Sequence, residues 1–149
     1  MSDRHQLTDP QAIRHFVFAG KAVFTLVSSV TGRHLTFKVT KAKKAGVNGP
    51  YFVAALTGPD NMSSYTYMGH MYRGQGGYKL TAGSKGKLDP GTTTRKAFEW
   101  FMSRVKEERE LPNGGEFWHE GRCGRCARRL TVPLSIERGL GPICDPKDR

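Results

Sequence analysis

Ala22-Val-Phe-Thr-Leu-Val-Ser-Ser-Val-Thr-Gly-Arg-His-Leu-Thr-Phe-Lys-Val-Thr-Lys41 is the stretch that decides the fold. Phe24 and Leu26 alternate with Val23, Thr25 and Val27. After an interruption at 28–32, Leu35, Phe37 and Val39 fall on one side, and His34, Thr36, Lys38 and Thr40 on the other. A period of two marks a strand with one face buried. Gly32 supplies a turn conformation that other residues resist. Residues 22–41 therefore read as a β-hairpin.

Working outward, Lys41, Lys43 and Lys44 lead into a loop over 46–50, and 51–56 is a third strand. Gly58-Pro-Asp-Asn61 signals a turn. Residues 64–69 form a fourth strand, with Tyr65 and Tyr67 on one face and Thr66 and Met68 on the other. The glycines at 74–77 break the chain before a fifth strand at 78–81. Upstream, 8–20 reads as a short helix. Thr8 or Asp9 caps it, Pro10 suits its first turn, and Ile13, Phe16 and Val17 make one apolar face. Downstream, 92–110 is the clearest helix, with Phe98, Phe101, Met102 and Val105 at i, i+3, i+4, i+7. Arg95–Glu99 and Arg104–Glu108 are i, i+4 pairs placed on its outer face. The expected fold class is α+β: an antiparallel meander of about five strands with flanking helices, over 1–111. A linker at 112–116 follows, then a small C-terminal module at 117–149.

The chain has 149 residues, 37% apolar and 25% charged, so its composition is that of a folded domain. Its longest apolar runs are far too short to cross a bilayer, and no apolar signal region follows Met1. A cytoplasmic setting is the expectation, and there a structural disulfide is disfavoured. Residues 21–90 carry ten basic side chains against Asp60 and Asp89 alone, a balance of +8. Such a field attracts polyanions.

All three cysteines lie in the last 27 residues, spaced with one histidine as H-x3-C-x2-C-x17-C. Zinc takes four nitrogen or sulfur ligands, and a C-x2-C turn brings two thiolates to one ion while its N–H groups bond the sulfurs. The expected ligands are His119, Cys123, Cys126 and Cys144, with Asp145 or Glu120 as substitutes for the histidine. A filled tetrahedron leaves no place for a reacting water, so the role expected of Zn2+ is structural. Residues 131–139 read as a short helix between the ligands. Arg122, Arg125, Arg128, Arg129 and Arg138 exceed what the thiolates need for charge balance, which leaves several for phosphate.

Three stretches carry a resemblance. They are Gly20-Lys-Ala-Val-Phe-Thr-Leu-Val-Ser28, Leu56-Thr-Gly-Pro-Asp-Asn61 with Tyr65-Thr-Tyr67, and the tail Trp118-His-Glu-Gly-Arg-Cys-Gly-Arg-Cys126 running on to Gly139-Leu-Gly-Pro-Ile-Cys144. Together they are similar to a family of small phage and prophage proteins, and the likeness covers most of the chain. The tail also resembles a short zinc-binding module appended to other phage proteins, matching it at His119, Cys123, Cys126 and Cys144. Ala127 stands where that module is expected to have glycine, a change that should loosen the turn slightly. The resemblance implies a phage setting and zinc, and no activity.

Enzymatic chemistry is not expected. Asp60 and Asp89 are the only carboxylates between residues 11 and 98, His34 and His70 are isolated, and no phosphate-binding loop precedes a helix. The primary expectation is a non-enzymatic nucleic-acid binder, of DNA or RNA, preferring single or structured strands. Its phosphate contacts would come from Lys41, Lys43, Lys44, Arg125, Arg128 and Arg129. Tyr51, Tyr65, Tyr67, Tyr72 and Tyr78 are candidate stacking rings, part of which should face the core. The alternative is a counter-defence (anti-CRISPR-like) or host-takeover protein that acts on a host protein or nucleoprotein complex in the host cytoplasm. Neither reading involves a membrane or a small-molecule substrate.

Overall fold

The computed structural model describes residues 6–27, 34–46, 49–56, 65–74, 77–81, 93–106, 115–130 and 139–140. Side chains are described for these except at 43–46, 73–74, 77–81, 93 and 106. The chain order is α1 (Pro10–Val17), β1 (Lys21–Val27), β2 (His34–Gly46), β3 (Gly49–Leu56), β4 (Tyr65–Gly74), β5 (Gly77–Thr81), α2 (Thr93–Lys106) and β6 (Glu116–His119). Every strand pair is antiparallel, and the sheet order is β5-β4-β3-β2-β1-β6. The fold is α+β, with a meander and two helices as the pattern predicts. Among the described residues, no helix is long and apolar enough to cross a membrane.

α1 begins where the Asp9 carboxylate accepts the Gln11 N–H at 3.3 Å and Pro10 occupies the first turn. Ile13, Phe16 and Val17 are buried. On the sheet, Ala22, Phe24, Phe37, Val39, Tyr51, Val53 and Ala55 are buried together with Phe98, Phe101, Met102 and Val105 of α2. Both helical stripes thus meet one face of the sheet. Phenylalanines dominate the contact. Phe117 stacks on Phe24 at 4.8 Å and on Phe101 at 5.6 Å, and Phe37 meets Phe98 at 5.1 Å. Such pairs add about 0.5–1.5 kcal/mol each beyond the area they bury.

Four departures from the pattern matter for function. First, there is a sixth strand. Glu116–His119 pairs with β1 from Phe24↔His119 to Val27↔Glu116, and Phe117 joins the main core. The segment 117–149 therefore starts inside the sheet, because Phe117 and His119 alternate inward about an outward Trp118. Second, β2 runs on to Gly46, paired with β3 through a register shift between Lys41 and Gly46. Lys41, Lys43 and Lys44 accordingly lie on a strand and not on a loop. Third, Arg95 is buried and not on the outer helix face; its Nε donates to Glu99 Oε1 at 3.0 Å. Fourth, β4 reaches Gly74 and contains a bulge. Val53 faces Gly69 while Ala54 faces Tyr67, so Met68 is the extra residue. The turns at 28–32 and 58–61, the helix expected at 131–139, and Cys144 lie outside the described residues.

Candidate functional site

The C-terminal segment leaves β6 and folds into a small hairpin. Arg122 and Arg129 face each other in a bridge, the Cys123 N–H donates to the Arg128 carbonyl at 2.8 Å, and the Leu130 N–H donates to the Gly121 carbonyl at 2.8 Å. The tip is the Cys123–Cys126 turn. There the Arg125 N–H donates to Cys123 Sγ at 3.4 Å, and the Ala127 N–H donates to the Cys123 carbonyl at 2.9 Å. Ala127 sits at φ +65°, the left-handed region in which a β-carbon is strained. That is the conformation a glycine would take without cost, and it gives the expected glycine at this position its physical reason.

The hairpin is seated on the rest of the protein. Phe16 of α1 is buried between two glycines. A β-carbon on Gly124 would lie 2.7 Å from Phe16 Cδ2, and one on Gly139 would lie 2.6 Å from the same atom. The Gly124 N–H donates to the Gly139 carbonyl at 2.9 Å, closing the cradle. Cys123, Leu130 and Leu140 form a second cluster with Ala19 packed against it.

Of the sequence-predicted metal ligands, His119 and Cys123 are buried and Cys126 is exposed. Among the described residues no three His, Cys, Asp or Glu side chains are gathered as a metal-holding group. The Gly121 N–H donates to His119 Nδ1 at 2.9 Å. A neutral imidazole that accepts at Nδ1 carries its proton on Nε2. Ligation through Nε2 therefore needs the other tautomer and the release of the Gly121 N–H. The Cys123–Cys126 turn, with a backbone N–H already on one sulfur, fits a thiolate-bound zinc; His119 fits it through Nδ1 once the Gly121 N–H is released, or through Nε2 after that tautomer change.

The predicted basic residues converge more than their separation in sequence suggests. Lys41 Nζ lies 6.0 Å from the centroid of the Tyr51 ring, and the Lys41 N–H donates to the Gly20 carbonyl at 2.9 Å. The next residue, Lys21, donates its N–H to the Gly124 carbonyl at 2.6 Å, beside Arg125. The Gly20-Lys21 backbone thus joins the end of β2 to the cysteine turn. Arg125, Arg128 and Arg129 are exposed, as is Lys21, which the spacing argument missed. The side chains of Lys43 and Lys44 lie outside the described residues.

Glu120, Gly121, Arg122, Arg129 and Leu130 line a cleft of about 330 Å³. Like charges directly opposite on a bridge repel, so Arg122 and Arg129 favour an anion between them. Desolvation pushes the Glu120 carboxyl above its usual range, with Arg122 pulling it partly back. Desolvation likewise raises the phenols of Tyr65, to which Glu120 adds, and of Tyr67.

The other face of the sheet is free of helices among the described residues. It carries Val23, Thr36, Lys38, Phe52, Tyr65, Tyr67, His70 and Tyr72, while Tyr51 of the predicted rings is turned to the core. Phe52 was not among the residues singled out by pattern, because it stands in an apolar run, Tyr51-Phe52-Val53, where alternation has no contrast.

Residues 116–147 match the model of a protein family of unknown function, DUF6011, so the similarity covers the last strand and the cysteine hairpin. No curated protein and no solved structure matches the chain.

Proposed function

We propose that this chain is a non-enzymatic, zinc-containing nucleic-acid-binding protein of phage type that grips phosphates from one basic margin. The observation that carries this reading is the Gly20-Lys21 junction, with Lys41 bonded on one side and the Gly124-Arg125 turn on the other. Two clusters more than eighty residues apart in sequence thereby become one electropositive margin. Arg122, which donates to the Ala127 carbonyl at 3.3 Å, stands opposite Arg129, and the pair adds two guanidinium groups suited to phosphate.

Zinc, when bound by Cys123, Cys126, Cys144 and His119, would supply cross-linking and no reaction chemistry. Among the described residues, the core local to this segment is the small cluster of Cys123, Leu130 and Leu140, of the size that a structural metal usually supplements. Elemental analysis of the purified chain should find one zinc. Well under half an equivalent in chelator-free buffer refutes the metal.

The binding test is titration of labelled single- and double-stranded DNA and RNA across a salt series. Single strands release about 0.7 counterion per phosphate contact, so four to six contacts give a log–log slope of roughly −3 to −4. Neutral substitutions of Arg125, Arg128 and Arg129, or of Lys41, Lys43 and Lys44, should weaken all sequences alike and flatten that slope. If nothing binds more tightly than about 100 μM, the weak end of non-specific affinity, the reading fails. Inhibition of a host protein or nucleoprotein complex, anti-CRISPR-like, then takes its place.

A further inference from the structure

We propose that the helix-free face of the sheet is a stacking platform for the bases of a single strand, built from Phe52, Tyr67, His70 and Tyr72 with Lys38 beside them. The inference rests on the nucleic-acid reading above and names the part of the ligand that this face takes.

The bulge at Met68 is the feature that makes the platform. In an unbroken strand, Tyr65 and Tyr67 would lie opposite in face to His70 and Tyr72, because their numbers differ in parity. Inserting one residue between the Val53–Gly69 and Ala54–Tyr67 pairs inverts the phase. Tyr65, Tyr67, His70 and Tyr72 then share one face, and Met68 and Met71 are buried. Gly69 absorbs the distortion at φ +147°, a value L side chains rarely adopt. Bulges of this kind re-aim side chains beside functional sites.

The rings are available. Phe52 is 40% exposed and Tyr72 55%; they are two of three exposed large hydrophobic residues among those described. Phe52 and Tyr67 stand 6.2 Å apart at 58°, and His70 and Tyr72 stand 6.0 Å apart at 90°. Neither pair is face to face, so ring faces remain for a base. Stacking on such rings is tolerant of sequence and common to single-strand binders.

Charge decides the occupant. Described outer-face positions on β1 to β4 hold Lys21 and Lys38 and no carboxylate, and Lys38 Nζ lies 5.3 Å from the Tyr65 ring centroid. Glu116 stands on the edge strand β6, and Glu120, just past it, is near enough for its charge to act on Tyr65, which is not among the platform rings. A polyanion with flat aromatic groups complements this face, whereas an apolar partner would leave Lys38 desolvated. Duplex bases are enclosed and offer no faces, so the ligand is a single strand.

The test uses the full chain with a fluorescein-labelled 20-nucleotide poly(dT), its poly(U) counterpart, and a duplex of equal length. Phe52→Ala and Tyr72→Ala should each weaken single-strand binding about 5- to 100-fold while leaving the salt slope and the duplex affinity unchanged. Both rings are exposed, so an unchanged thermal midpoint shows that the fold is retained. Wild-type affinity in both variants overturns the platform and leaves the phosphate reading standing. Failure of the wild-type chain to bind any of the three probes overturns both. Loss of self-association in these variants, with nucleic-acid binding intact, assigns the face to a second copy of the chain and also overturns the proposal.

Discussion

Gly124→Ala is the sharpest probe of how the cysteine hairpin is attached. The added β-carbon would stand 2.7 Å from Phe16 Cδ2, 2.9 Å from Cε2 and 3.1 Å from the Phe16 carbonyl oxygen. Relief is restricted, because Gly139 lies against the same Cδ2 and Cε2 atoms, and the ring meets Phe117 edge-on at 5.8 Å. Overpacking of a closed site costs about 1–3 kcal/mol. At about 2–4 °C per kcal/mol for a chain of this size, the midpoint should fall by roughly 2–12 °C. Phe16→Leu removes the obstructing ring atoms and by itself opens space, with a destabilisation of its own. The informative quantity is the cycle. In the Phe16→Leu background, Gly124→Ala should cost at least 1 kcal/mol less than in the native background, a coupling within the range seen for residues in contact. Equilibrium urea denaturation of the four full-length proteins, followed by circular dichroism, measures it. Additive costs within about 0.5 kcal/mol would mean that Gly124 is a glycine for some reason other than Phe16, and that the hairpin is not seated as described.

Three further outcomes are expected. Phe101→Ala, which removes a fully buried ring between Phe24 and Phe117, should cost about 3–5 kcal/mol in the same denaturation assay, and a loss below about 1 kcal/mol would place the α2 stripe elsewhere. Ala127→Gly should stabilise the chain by about 0.5–1 kcal/mol, since relief of left-handed strain outweighs the added freedom of glycine in the unfolded state; a destabilisation refutes the φ +65° assignment. Glu120→Gln should raise the thermal midpoint near pH 7 and leave it unchanged near pH 3. The carboxyl is raised in the folded state, so its contribution is present below the unfolded value of 4.5 and is lost as pH rises through the folded one. Equal midpoints at both pH values would show that Glu120 is not desolvated.

The sheet was legible wherever one strand face is apolar and the other is not. Leu35, Phe37 and Val39 alternate with polar residues, and Phe37 and Val39 are fully buried as that pattern requires. The α2 stripe was equally plain, with Phe98, Phe101, Met102 and Val105 all buried. Legibility failed where contrast or phase is lost. Tyr51-Phe52-Val53 is apolar at every position, so nothing in it distinguishes the exposed Phe52 from its buried neighbours. The Met68 bulge shifts phase in mid-strand, and a strict period of two cannot follow a chain across it. Lys41-Ala-Lys-Lys44 reads as loop by charge, yet it extends β2, because pairing to β3 is a backbone property that side-chain charge does not reveal.

His119 shows why the proposed metal site cannot be separated from the sheet. Read along the chain, it is the first member of a cysteine motif that begins after a linker. In the fold it is the last residue of β6, opposite Phe24, with its ring 5.7 Å from Phe16. Its face is therefore fixed by strand alternation, and the Gly121 N–H at Nδ1 then holds the ring. Phe117 and His119 point inward because Trp118 points outward, where its indole N–H reaches Glu116 at 2.8 Å. A register slip of one residue would exchange these faces, taking Phe117 out of the aromatic core and the imidazole away from Phe16. The imidazole is thus held beside Phe16 by the same core contacts that hold α1 and α2 to the sheet. Loss of a thiolate should then loosen the turn and its arginines while β6 stays paired. Loss of Phe117 should disturb both at once, since one aromatic cluster positions the strand that ends at the histidine and the Phe16 ring on which Gly124 and Gly139 rest.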